Sequence, residues 1–190
     1  MTTNRQFCRF NRGQSTTTGG RDESNVTTKE IPEGGLCLSS FLIVTEETDP
    51  KKVLMGHLSP KAEWDHIGAL DQNRVQIHSK GWMLPSSHLI IHESPKDAAT
   101  RVAREQLNLE DLKLSEPKVV SEVYAPKRFQ NLAKHWDIEF IFFAVADEKS
   151  LGKPNAWTDL QFIDPSTTTR SEFARSHEDV LESAGFLIAA

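Results

Sequence analysis

A mixed α/β sandwich is the fold class this sequence predicts, and three observations predict it. Apolar runs rich in β-branched residues recur at 36–44 (LCLSSFLIV), 53–58 (VLMGHL), 118–124 (KVVSEVY), 137–146 (DIEFIFFAVA) and 157–163 (WTDLQFI), each short enough for a strand. A helix with both ends written out lies in the middle of them, within residues 81–109. A second helical pattern closes the chain at 168–185, with Phe173, Val180, Leu181 and Ala184 at near-helical spacing before Gly185. Strands on both sides of one helix, followed by a terminal helix, make a layered α/β architecture.

Taken in order, residues 1–30 are dominated by Thr, Ser, Asn, Arg and Gly and read as a flexible polar segment, with Phe7, Cys8 and Phe10 its few apolar anchors. The ordered domain is expected over 31–190. The strands at 36–44 and 53–58 are joined through the turn Thr48-Asp49-Pro50 and predict a hairpin. Residues 63–70 (EWDHIGAL) suggest one helical turn, and 75–77 a brief strand. In the central helix Ser94 is a fitting N-cap, Pro95 occupies the first turn, Asp97 faces the positive helix end, and Asn108 can take the left-handed conformation that stops it. Residues 109–114 form a polar connection, Ala125-Pro126 breaks the strand at 118–124, and 147–156 is a loop with Gly and Pro.

Composition narrows the function classes. A chain of 190 residues with 37% hydrophobic content suits one medium-sized domain. A net charge of -5 with both signs interspersed gives no basic field for general nucleic-acid binding. Cys8 and Cys37 are too few and too far apart to suggest a disulfide scaffold or a zinc site. The longest apolar run, 138–146, is too short to span a bilayer, and no signal-peptide core opens the chain. A cytoplasmic protein without membrane partners is the expectation, with a homodimer left open.

The stretch 81–109, GWMLPSSHLIIHESPKDAATRVAREQLNL, resembles the signature box of the Nudix fold, G-x5-E-x7-R-E-U-x-E-E-x-G-U with U aliphatic. Trp82-Met83-Leu84-Pro85 supplies the usual lead-in; Glu93, Arg101, Glu105 and Leu109 fall on box positions without a gap. The departures are Ser86-Ser87 for the opening glycines, His92 for the glycine before the loop glutamate, and Val102, Gln106 and Asn108 for Glu, Glu and Gly.

The resemblance implies a hydrolase of a nucleoside diphosphate linked to another moiety, with magnesium or manganese as the metal; zinc, the less favoured ion, enters only through the histidines considered below. The alternative is a non-catalytic nucleotide-sensing or partner-binding protein. Hard divalent cations gather carboxylate oxygens and activate water. Positions 102, 105 and 106 share a helix face, and here that face carries one carboxylate instead of three, so binding is expected to be weakened. Glu105 is the implied metal ligand and catalytic residue, assisted by Gln106 and the Ser86 carbonyl, with Glu148 as a base from the loop after the strongest strand. Glu93 and Arg101 are the implied orienting clamp.

Other candidates come from residue chemistry. His88 and His92 could join Glu105 in a mixed nitrogen–oxygen site for zinc or manganese. Lys127, Arg128, Lys134 and His135 could meet phosphate, with His88, Arg128 and Trp136 as the substrate-binding set; Trp136, or Trp64 with His66, could stack on a base. Glu122 and Glu139 could replace lost carboxylates, although Glu139 on the solvent face of an edge strand explains the same residue without function. Ser86, Ser87 and His88 lack the elbow and the acid of a nucleophilic triad.

Overall fold

The computed structural model describes residues 9–10, 35–124, 134–152 and 154–188. The rest of the expected polar segment, together with Lys127 and Arg128, lies outside them. In chain order the elements are β1 (Arg9–Phe10), β2 (Leu36–Glu46), β3 (Val53–Leu58), α1 (Trp64–Ile67), α2 (Gln72–His78), β4 (Ser86–His88), α3 (Pro95–Leu107), β5 (Lys118–Tyr124), β6 (His135–Ala146), β7 (Trp157–Ile163) and α4 (His177–Ala184).

Among the described residues all the strands join one seven-stranded sheet with the path β5-β6-β2-β3-β7, onto which β1 and β4 pair through β2. The long strand β2 organises it. Along one edge β6 runs parallel from Leu36↔Trp136 to Glu46↔Ala146. Three short partners share the other edge in turn: β1 opposite Cys37, β4 opposite Ser39 to Phe41, and β3 at Thr45↔Val53. β5 and β7 close the outer positions as antiparallel partners of β6 and β3.

Alternation along β2 and β6 builds two cores. Leu42, Val44, Phe142 and Ala144 pack under Ala99, Val102, Ala103 and Leu107 of α3. Phe41, Ile43 and Ile141 pack on the opposite face under Val180 and Leu181 of α4. A third cluster, with Trp64, Val75, Met83 and Trp157, seats α1 and α2 beside the box.

The ends of α3 are those the sequence predicts. The Ser94 side chain accepts from the Asp97 N–H, Pro95 opens the helix, and Asn108 at φ 57 closes it in the left-handed region.

Three expectations change. Residues 75–77 are not a strand but the interior of α2, because Asp71 caps that helix by accepting from Arg74 N–H. The pattern at 168–185 is not one helix: 3-10 turns at Pro165–Thr167 and Arg170–Glu172 precede α4. Arg175 and Ser176 stand between them at φ 54 and 60, which no continuous right-handed helix allows. Third, β6 is an interior strand of the sheet rather than an edge, so Glu139 does not sit on an open solvent face.

Candidate functional site

Between β4 and α3 the box loop is held by an ion pair of the buried Arg101 and the partly buried Glu93. Arg101, 5% exposed, donates from Nε to Glu93 Oε1 at 2.7 Å and from Nη2 to Oε2 at 2.9 Å. Its remaining donors reach the His88 carbonyl at 3.0 Å and Ser87 Oγ at 3.3 Å. Glu93 Oε2 also accepts from the Ile90 N–H at 2.9 Å. The fork thus ties the helix to the strand before it and the loop between, a geometry suited to guanidinium and carboxylate.

One turn further along α3, Gln106 bonds the backbone of one residue, Ser86, on both sides of its Cα. Its Nε2 donates to the Ser86 carbonyl at 2.8 Å, and its Oε1 accepts from the Ser86 N–H at 3.2 Å. The same Nε2 donates to the Ile67 carbonyl at the end of α1, 3.0 Å away. Reversing the amide would face N–H against N–H and oxygen against two carbonyls, so hydrogen bonding fixes its orientation. Gln106 is fully buried, and the indole N–H of Trp157 caps its backbone carbonyl at 2.8 Å.

These residues do not fit the divalent-metal centre that the fold family implies. The expected ligand atoms of Gln106 and Ser86 are bonded to each other's peptide and amide groups, and an N–H donor points at the carbonyl where a cation would need an acceptor. Val102 is fully buried in the apolar core under α3. Glu105 remains, its side chain 16% exposed and 3.5 Å from the Arg104 guanidinium. Among positions 102, 105 and 106 that leaves one carboxylate, a poor ligand set for magnesium.

The other predicted residues scatter. His88 is buried on β4, and its Nδ1 lies 3.0 Å from Ser39 Oγ. Ser39 alternates with Ser40 and Leu42, so this imidazole lies on the face away from α3 and does not join Glu105. His92 sits in the box loop at φ 71. Trp136 is 37% exposed at the start of β6, donating its indole N–H to Ser121 Oγ. Glu148 lies in a 3-10 turn beyond the far end of that 12-residue strand. The strand rise separates Trp136 and Glu148 by roughly 35 Å, too far for one small substrate to meet both. Trp64 is buried edge-on against Trp157, which removes it as a stacking surface.

On the α4 face, register assembles what sequence distance hides. Cys37 pairs with Asp137, Asp137 with Glu122, and Ser39 with Glu139. Burial pushes the Glu139 carboxyl up to about 8, and the neighbouring charges of Asp137, Glu122 and Asp179 push in the same direction. His135 Nε2 lies 3.0 Å from Asp137 Oδ2. At the start of α4, His177 is buried and accepts the Leu84 N–H on Nδ1 at 2.9 Å. Burial, then the charges of Arg175 and His78, holds His177 well below the usual histidine range, as an accepting ring nitrogen requires. Sequence reading named Glu139 and His135 singly but missed their grouping with Cys37; the parallel register of β2 and β6 was the absent signal.

Among the described residues no helix is long and apolar enough to cross a membrane. No protein-family model and no curated protein sequence matches the chain. Solved structures do. The NUDIX domain of Shewanella oneidensis NrtR, complexed with ADP ribose, superposes with TM-score 0.52 at 14% identity over 80% of this chain and 87% of that one. Escherichia coli dihydroneopterin triphosphate pyrophosphohydrolase gives TM-score 0.52 at 15% identity over 82% and 97%. A mutT/nudix family protein from Listeria innocua gives 0.51 at 20% over 78% and 91%. Together with the sheet order and the loop-helix clamp, these likenesses establish that the chain has the Nudix fold.

Proposed function

We propose that this Nudix-fold protein binds a nucleoside diphosphate linked to another group, and that its box serves recognition rather than metal-dependent hydrolysis. The observation that carries the reading is the Gln106 amide closed on both the N–H and the carbonyl of Ser86. That arrangement keeps the loop and helix of the fold in place without the three-carboxylate centre. The diphosphate class is supported by the neighbours of similar fold, one complexed with ADP ribose and one a triphosphate pyrophosphohydrolase.

A second reading, a Nudix-like hydrolase with a weakened magnesium or manganese site at Glu105 and Glu148 as base, is favoured by one observation. Glu105 keeps partial exposure on the helix face next to Gln106. A screen of nucleoside diphosphate derivatives with magnesium, manganese and zinc separates the two. Thermal stabilisation by a nucleotide without turnover supports the binding reading. Turnover that Glu105→Gln abolishes overturns it in favour of the hydrolase.

A further inference from the structure

We propose that Cys37, His135 and Asp137 form a binding site for a zinc-class divalent metal ion, on the sheet face opposite the box helix. A thiol sulfur, an imidazole nitrogen and a carboxylate oxygen, one from each residue, all lie within 4.8 Å of one another. Two separate facts of topology bring them there. Parallel pairing sets Cys37 of β2 directly beside Asp137 of β6, and His135 precedes Asp137 by two residues, so its side chain shares that face.

The shape of the group distinguishes a metal site from a nucleophilic triad. In a triad the imidazole stands between sulfur and carboxylate, using a different ring nitrogen toward each, so sulfur and carboxylate are held apart across the ring. Here sulfur and carboxylate are not held apart: one donor atom from each of the three residues lies within 4.8 Å of the other two. Tetrahedral zinc bonds of about 2.0–2.3 Å place ligand atoms roughly 3.3–3.8 Å apart, a small adjustment from the observed spread. The donor types agree, since thiolate with imidazole and one carboxylate selects zinc-like ions over magnesium.

The surroundings suit a cation as well. Cys37 is 5% exposed and carries a thiol rather than a disulfide. His135 and Asp137 have side chains 22% and 16% exposed, so the group opens to solvent on one side. Glu122 adjoins Asp137 in the register, which adds negative potential beside the group. Three protein ligands leave a fourth position for water or a ligand oxygen, as in open zinc sites.

The test uses the full chain with Cys8→Ser, which leaves Cys37 as the single thiol, stripped with chelator and titrated with cobalt(II). The expected result is one cobalt per chain with a thiolate-to-cobalt charge-transfer band, bleached by zinc. His135→Gln and Asp137→Asn, both at partly exposed positions, should each weaken cobalt binding by about tenfold or more. Their metal-free melting temperatures verify that the fold is intact, and Cys37→Ser should remove the band altogether. Absence of the band, or a band whose affinity is unchanged in both His135→Gln and Asp137→Asn, overturns the site. The second result would mean that the thiol binds metal alone and that His135 and Asp137 are only an ion pair.

Discussion

On the face covered by α3, Arg101 answers Glu93 through a bidentate pair, and Gln106 answers both the N–H and the carbonyl of Ser86. On the face covered by α4, the three charges that act on Glu139 are all carboxylates. Both faces share the same two long strands, yet one satisfies its polar groups internally while the other concentrates acid beside a thiol and an imidazole. The difference suggests where an ion is still wanted. The box has a neutral amide in place of a ligand, and the opposite face retains a donor set.

The comparison can be broken first at its strongest point. Arg101→Ala leaves the partly buried Glu93 without its guanidinium partner, and a loss of about 3 kcal/mol in denaturant unfolding is expected. Adding Glu93→Gln should recover part of that loss, because the orphaned charge is removed. A single-variant cost within experimental error would mean the clamp does not hold the box.

Glu139 comes next, read in metal-free protein. Its carboxyl titrates at about 8 in the fold against 4.5 ordinarily. Between those values the folded state keeps a proton that the unfolded state has lost. Its contribution is therefore complete below pH 4.5 and is lost as pH rises to about 8. Each pH unit with one proton of difference is worth about 1.4 kcal/mol. Glu139→Gln should flatten the decline of stability between pH 5 and 8, measured as urea midpoints across about that range. An unchanged slope would show that the α4 face is not short of positive charge.

His177 gives an effect of opposite sign. Its folded value lies well below 6.5, so the unfolded chain takes up a proton first and stability falls as pH drops below 6.5. His177→Phe should remove that slope and cost about 1–3 kcal/mol at neutral pH, since the Leu84 N–H loses its acceptor. The melting curves of the two proteins should then converge at acid pH.

Much of the α3 face was legible in the sequence because its signals are local. Ser94, Pro95 and Asn108 punctuate the helix within one short stretch, and Glu93 and Arg101 sit 8 residues apart. Residues 75–77 were misread since an apolar pair flanking one residue suits a strand, while the deciding group, the Asp71 cap, stands before them. The break ahead of α4 depends on positive φ at Arg175 and Ser176, two residues with no side-chain preference for it. Glu139 and Cys37 were unreadable for a different reason. Their environment is set by which strands pair, and β2 and β6 meet across a sequence separation of about 100 residues.

The most direct test of the account is the magnesium dependence of thermal stability in wild type and Gln106→Glu. A carboxylate at 106 would face the Ser86 and Ile67 carbonyls without a donor between them. The variant should melt below wild type in chelator, by an amount equivalent to about 1–3 kcal/mol. Magnesium or manganese should restore it, and should leave wild type unmoved. A wild type stabilised by magnesium as strongly as the variant, with the effect removed by Glu105→Gln, would contradict the account and return the box to metal chemistry.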